Sequence, residues 1–210
     1  MQLEQQESFR IEGPQLEVFG QIESKLPAPA KKRPAAVLAI VLAALVAVFG
    51  IGGAKLKGRQ ASVQALYTAT NEHGSGMTGD LALRADAAAN LIRLCGQVLG
   101  TDDATVQAAQ AALDGWNAAA DAGGPADQFA INTALGGAVT AMYQQTDAAG
   151  GVTEAISGQY TEFLSRQDII LRTAANDYNP AAQGYNDTVS GFPANVIGLL
   201  WGAGEVQLFQ

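Results

Sequence analysis

The chain has little that could build a metal site or a covalent crosslink: one cysteine, Cys95, and one histidine, His73, in 210 residues. A single cysteine cannot form an intramolecular disulfide, and these two side chains cannot complete the ligand set of a structural zinc ion. Cys95 lies in an apolar helical context, which predicts a buried thiol rather than a reactive one. Because the lone histidine has no plausible Ser/His/Asp set around it, we predict no enzyme activity, no catalytic, cofactor-binding or metal-binding residue, and no cofactor.

Lysine is absent beyond Lys57, and the chain carries a formal net charge of −8. Residues 1–34 hold five basic and five acidic side chains, so the whole negative excess belongs to the residues that follow. A domain this acidic repels the phosphates of nucleic acids and anionic lipid headgroups. We therefore predict that nucleic acid is not a partner.

The longest uncharged apolar run, residues 35–54, is predicted to be a transmembrane helix that places the protein in the lipid bilayer. It has no charged side chain in 20 residues, and at about 1.5 Å per residue it spans about 30 Å, the thickness of a bilayer's hydrocarbon core. A cleaved signal peptide is the alternative, but the apolar part of a signal is about 7–15 residues long and lies near the N-terminus. Basic residues flank the run as they do at lipid headgroups: Lys31, Lys32 and Arg33 before it, and Lys55, Lys57 and Arg59 after it.

The basic residues near the span also indicate its orientation. Four precede it, counting Lys25, and three follow it, so the positive-inside rule favours a cytoplasmic N-terminus and an extracytoplasmic domain. Residues 1–34 are expected to be a disordered tail, because their few apolar side chains bury little area against the entropy of ordering. Alanines spaced by four along the run would permit self-association of the span, but we favour the alanine-rich composition of the whole chain as their explanation.

The residues after the span show helix periodicity in four stretches, near positions 81–99, 106–120, 131–142 and 160–185. Asp102-Asp103 is suited to capping the second stretch. Long helices with short connections pack antiparallel. The predicted fold class is therefore all-α, with an N-terminal transmembrane helix followed by an antiparallel four-helix-type bundle over residues 56–210. Pro180 falls inside the fourth stretch, where we expect it to kink or end the helix.

This domain contains two distinctive motifs. Residues 177–186, DYNPAAQGYN, repeat a Tyr-Asn pair seven residues apart, and Phe192-Pro193-Ala194-Asn195 follows; residues 84–91 read RADAAANL. Both motifs resemble those of the LemA family, whose members close with a doubled Tyr-Asn, a Phe-Pro-x-Asn and a final aromatic residue, and carry an Arg-Ala-Asp-x-x-x-Asn-Leu stretch after the anchor. The resemblance covers roughly residues 35–210 and identifies the chain as a diverged member. It implies a membrane anchor followed by a bundle of long antiparallel helices, with no catalytic residue. The structural motif residues are Arg84, Asp86, Asn90, Tyr178, Asn179, Tyr185, Asn186, Phe192 and Pro193.

The Tyr-Asn repeat also has a physical interpretation. Tyr178, Tyr185 and Phe192 are seven residues apart, so they share one face if the helix persists. The asparagines beside them can bond to neighbouring helices. We expect the repeat to lock the last helix in register; a ligand site is the alternative.

Two functions remain open from the sequence. The first is a membrane-anchored scaffold or interaction protein of the cell envelope, whose partners are envelope proteins or a second copy of the chain. The second is a sensory or ligand-binding module that signals through the membrane anchor. A pocket with convergent polar groups would favour the second function.

Overall fold

A computed structural model describes residues 33–68, 76–119 and 123–210. These residues form helices joined by short connections, and no strand occurs in the described ranges, so the predicted all-α class is confirmed. The predicted tail, residues 1–34, lies almost entirely outside the described residues. The helices are α1 Arg33–Thr68, α2 Met77–Leu99, α3 Ala104–Ala119, α4 Pro125–Ala148, α5 Glu154–Thr173, α6 Asn179–Ser190 and α7 Ala194–Trp201, and a π-helical turn, Ala174–Tyr178, joins α5 to α6.

Helix α1 contains the predicted span and is longer than it, at 36 residues. Its N-terminal part is apolar and carries exposed side chains, and it is long and apolar enough to cross a membrane. The contacts divide the chain after Gly52, and the bundle unit is Gly53–Gln210. Within that unit Leu56, Val63 and Tyr67 of α1 are buried, so the end of α1 is part of the bundle.

The bundle is built mainly from two helix pairs. Helix α2 packs most extensively on α5, and α3 packs most extensively on α4; α2 also contacts both α3 and α4. The connections between α2 and α3 and between α4 and α5 are short, which places consecutive helices antiparallel. Bulky side chains such as Phe163, Leu135 and Met142 are fully buried among alanines, and Cys95 lies with them as expected.

Side-chain caps define where α3 and α5 begin. Oδ1 of Asp103 accepts hydrogen bonds from the backbone N–H groups of Thr105 at 2.8 Å and Val106 at 3.4 Å. Thr153 Oγ1 accepts from the N–H of Ile156 at 3.3 Å. Each cap satisfies N–H groups that have no partner inside their own helix. The predicted acidic cap is therefore present, and Asp103 is the residue that provides it.

The helix continues through Pro180 instead of ending there, and the disturbance takes the form of the π turn. Pro180 has no N–H, and in a regular α-helix its ring would clash with the carbonyl of Asn176. Just before it, the N–H of Asn179 donates to the carbonyl of Ala174, five residues back. This wider turn absorbs the irregularity, and the chain returns to α-helix as far as Ser190.

Candidate functional site

The Tyr-Asn repeat holds the last eight residues of the chain. Those residues, Ala203–Gln210, have no regular secondary structure and are called the C-terminal segment here. Tyr178 and Tyr185 are both buried. The hydroxyl of Tyr178 donates to the carbonyl of Gln207 at 2.6 Å, and that of Tyr185 donates to the carbonyl of Ala203 at 2.9 Å. Burial raises the pKa of Tyr178 to about 12, which keeps its hydroxyl a donor.

The two asparagines bind backbone groups of the same segment, and each uses both ends of its amide. Asn179 donates from Nδ2 to the carbonyl of Phe209 at 3.0 Å and accepts at Oδ1 from the N–H of Phe209 at 2.8 Å. Asn186 does the same with Val206, at 2.9 and 2.8 Å. Each asparagine therefore satisfies the backbone N–H and the carbonyl of one residue of the segment, as a neighbouring strand would do in a sheet. Tyr178, Asn179, Tyr185 and Asn186 are called the Tyr-Asn clasp below.

The seven-residue spacing of the asparagines has a geometric reason. Seven residues of α-helix rise about 10.5 Å, whereas the three steps from Val206 to Phe209 cover about 10 Å when the chain is extended. Asn186 binds the earlier residue of the segment and Asn179 the later one. The segment therefore runs antiparallel to α6 and meets one asparagine on every second turn.

Aromatic rings surround the end of the C-terminal segment. The ring of Phe209 is buried, with its centroid 5.2 Å from that of Phe129 in an edge-on contact and 6.2 Å from that of Tyr67. The rings of Tyr67 and Tyr178 are 5.2 Å apart, and the hydroxyl of Tyr67 donates to Gln128. Residues of α1, α4 and the π turn thus meet around one residue of the segment.

The third aromatic of the repeat does not join the two tyrosines. Phe192 was expected to share their face if the helix persisted, but α6 ends at Ser190 and the Phe192 side chain is 86% exposed. Pro193, joined to it by a cis peptide bond, immediately precedes α7. The expected partners of the asparagines also differ, because they bind the C-terminal segment and not a neighbouring helix. The sequence has no signal for these partners, because the segment contributes backbone atoms, and not side chains, to the bonds.

Arg84 of the second motif forms a separate buried polar cluster. Its side chain is 2% exposed, and Nη1 donates to the backbone carbonyl of Asn132 at 3.0 Å and also to Oδ1 of that residue. The guanidinium lies 4.0 Å from the ring centroid of Phe163, a cation–π geometry. Asn132 in turn donates from Nδ2 to Oε1 of Gln167 at 3.0 Å. These partners are uncharged, and burial lowers the pKa of Arg84 to about 10.

Helix α4 has room for this guanidinium because residue 136 is glycine. A Cβ atom at Gly136 would lie 2.9 Å from Nη2 of Arg84. One turn before Arg84, Asp80 forms an ion pair with Arg166 at 3.0 Å. Neither Asn132 nor Gly136 was identified from the sequence. Gln167, which interrupts the apolar spacing of the fourth stretch between Leu164 and Leu171, is a local sign of this cluster.

The other residues of the Arg84 motif do not join this cluster. Asp86 and Asn90 have exposed side chains on α2, whereas Arg84 faces inward. The structure therefore brings together the four clasp residues and places Arg84, Asp86 and Asn90 apart from them and on different faces.

A groove with a volume of about 690 Å³ lies between α2 and α3. Ile92, Val106 and Leu113 contribute its apolar surface, and the charged side chains of Arg93 and Asp114 line it as well. A mixed lining of this kind suits a peptide or a partially apolar small molecule. Among the described residues, no group of three His, Cys, Asp or Glu side chains could hold a metal ion.

No family model, curated protein or solved structure matches the chain.

Proposed function

We propose that the chain is a membrane-anchored helical scaffold or interaction protein of the cell envelope. The observation that carries this proposal is the apolar part of α1, in which the most hydropathic window of 18 residues has no buried residue. In water, so many exposed leucine, isoleucine and valine side chains would be strongly unfavourable. Lipid covers them, and the basic residues Lys55, Lys57 and Arg59 then lie at headgroup level.

The bundle's place in the LemA family is part of the same proposal. The order and spacing of the C-terminal motif support it. The clasp explains the doubling of the Tyr-Asn pair, because each pair binds a different part of the C-terminal segment. A motif that binds backbone atoms of a following segment needs its own spacing preserved, and the buried ring of Phe209 accounts for the final aromatic residue. The proposal assigns no catalytic residue and no cofactor to the chain.

The bundle is proposed to lie outside the cytoplasm. The four basic residues before the span and the three after it support this orientation. Protease added outside spheroplasts should then degrade the bundle and spare residues 1–34. A protected bundle would reverse the orientation without removing the anchor.

The partner-binding surface is proposed to be the groove between α2 and α3. A photo-crosslinking residue at exposed Gln110, which lines the groove, should capture the same envelope protein in repeated experiments on intact membranes. The matched control is the same crosslinker at exposed Asp168 on α5, which should capture none of it. Equal capture from both positions would contradict a partner surface at the groove.

The groove also favours the second candidate, a sensory or ligand-binding module that signals through the anchor. Its volume of about 690 Å³ lies within the range of small-molecule sites. The crosslinking result, combined with a search for small molecules bound to the purified protein, separates the two functions. A small molecule retained by the purified protein, together with no protein crosslink from Gln110, would support the sensor and not the scaffold.

A further inference from the structure

Helix α7 carries an apolar patch that the bundle leaves uncovered. Phe192 is 86% exposed, Leu199 is 84% exposed and Leu200 is 68% exposed, and Val196 is exposed beside them. Val196, Leu199 and Leu200 are spaced i, i+3 and i+4, so they share one face of α7. These three residues and Phe192, which lies just before the helix, are called the α7 patch. The opposite face of the helix is buried through Ile197 and Gly198, so the exposure of the patch is not the result of a detached helix.

Residues around the end of α7 fix this helix against α1. The indole of Trp201 packs so closely on Gly53 that a Cβ atom there would lie 2.1 Å from Nε1. Lys57 Nζ donates to the carbonyl of Gly202 at 2.9 Å, and Gln60 Nε2 donates to the carbonyl of Gly204 at 2.9 Å. All of these contacts lie within the bundle unit, and together they hold the end of α7 beside residues 53–60 of α1.

Gly53, on which Trp201 packs, lies at the end of the uncharged run of α1. Gly53 and Ala54 are the last two residues of the run, and Lys55, Lys57 and Arg59 follow it. If the run spans a bilayer, Gly53 lies where hydrocarbon gives way to headgroups. Trp201, packed on Gly53, then occupies the zone in which tryptophan is enriched in membrane proteins.

We propose that the α7 patch is embedded in the membrane interface and is a second point of attachment of the bundle to the bilayer. The proposal rests on the anchoring of α1 proposed above. Residues 188–204 have no charged side chain, so nothing on α7 opposes its entry into this zone. Short apolar faces in the interface bind by burying apolar side chains at the boundary of headgroups and acyl chains. The basic residues of α1 offset the acidic character of the bundle at this one edge.

Site-directed spin labelling of the full-length protein in vesicles of phosphatidylcholine and phosphatidylglycerol tests the proposal. In a Cys95→Ala background, a label is placed in the patch by Leu199→Cys and in the span by Val46→Cys. The matched control is Leu171→Cys, an exposed leucine on α5 outside the patch. Collisions with oxygen, which partitions into lipid, are compared with collisions with a water-soluble nickel chelate.

The labels at positions 46 and 199 should both collide several-fold more often with oxygen than with the chelate, and the label at 171 should show the reverse. A lipid-exposed label at 46 with a water-exposed label at 199 would overturn the patch proposal and leave the anchor intact. A water-exposed label at 46 would overturn both. Spin–spin broadening at 199 that disappears on dilution with unlabelled protein would mean that a second copy covers the patch, which also overturns the proposal.

Discussion

The side-chain amide of Asn186 donates from Nδ2 to the carbonyl of Val206 at 2.9 Å and accepts at Oδ1 from the N–H of Val206 at 2.8 Å. Val206 belongs to a segment without regular secondary structure, and this one side chain supplies both the donor and the acceptor that its backbone would find in a neighbouring strand. Asn179 repeats the arrangement with Phe209. The clasp is therefore a structural device, and its residues should control stability and the position of the C-terminal segment.

Truncating either clasp tyrosine should be strongly destabilising. Tyr178→Ala and Tyr185→Ala should each lower the free energy of unfolding by about 3–5 kcal/mol, because each removes a buried ring and leaves a cavity. Denaturant unfolding of the full-length protein in detergent measures this change. Tyr178→Phe is the matched control: it keeps the ring, loses the bond to Gln207, and should cost about 1 kcal/mol. Parent-like unfolding of both alanine variants would contradict a structural role and favour a ligand site.

Loss of a clasp asparagine should release the segment more than it perturbs the bundle. Asn186→Ala leaves the N–H and the carbonyl of Val206 without partners and should cost about 2 kcal/mol, from two hydrogen bonds of about 1 kcal/mol each. Limited proteolysis should then cleave within Ala203–Gln210 faster than in the parent. Asn195→Ala, at an exposed position whose Oδ1 accepts only a local bond from Val196, should leave both quantities unchanged.

Two adjacent glycines of α4 should respond in opposite ways to alanine. A Cβ at Gly137 meets nothing within 4 Å, so Gly137→Ala should stabilise the helix by about 0.5–1 kcal/mol. A Cβ at Gly136 would lie 2.9 Å from Arg84 Nη2 and displace a buried guanidinium from Asn132 and Phe163. Gly136→Ala should therefore be less stable than Gly137→Ala by about 1–3 kcal/mol. Thermal denaturation of the two variants side by side provides the comparison, and equal stabilities would mean that Arg84 moves aside freely.

Alkaline conditions should weaken the fold partly through Tyr178. Burial raises its pKa from 10.0 to about 12, so the unfolded chain loses this proton first as the pH rises. The contribution to stability is complete below about pH 10 and is lost as the pH approaches about 12. Unfolding free energies measured across this window should fall less steeply in Tyr178→Phe than in the parent. Equal slopes in Tyr178→Phe and the parent would contradict this role of Tyr178.

A charge placed in the apolar run should weaken the attachment of the protein to membranes. Leu45→Arg, near the middle of residues 35–54, should make insertion less favourable by about 2.5–3.5 kcal/mol. The parent should remain in the pellet after carbonate washing, and a fraction of the variant should appear in the supernatant. Leu83→Arg, at an exposed leucine of α2, should stay in the pellet with the parent. Release of the intact parent by carbonate would remove the anchor from the proposal.

The sequence predicted those features that depend on local spacing. Apolar residues at helical intervals from Leu81 to Leu99 correctly indicated α2, and Asp103 indicated the start of α3, because both signals act within a few residues. Phe192 was misplaced because α6 ends two residues before it. A repeat of seven alone does not reveal where a helix stops.

Long-range polar contacts could not be predicted in the same way. Arg84 and Asn132 are 48 positions apart, and their contact depends on how α2 packs on α4. The clasp is harder still, because the side chains of Asn179 and Asn186 bind main-chain atoms. Main-chain atoms are identical at every residue other than proline, so these hydrogen bonds cannot be predicted from the identity of the residues in the segment.

The hydrogen bonds from Lys57 to Gly202 and from Gln60 to Gly204 join residues 145 and 144 positions apart, so they connect the first and the last part of the bundle unit. Contacts so distant along the chain form only after the intervening helices have shortened the path between them, because loop closure costs entropy before it brings any contact energy. We therefore expect these bonds from α1 to be among the last contacts to form during folding. Until they form, Ala203–Gln210 should be cleaved more readily, because proteases prefer exposed chain ends. Resistance of this segment to proteolysis should then distinguish fully folded molecules from partly folded ones.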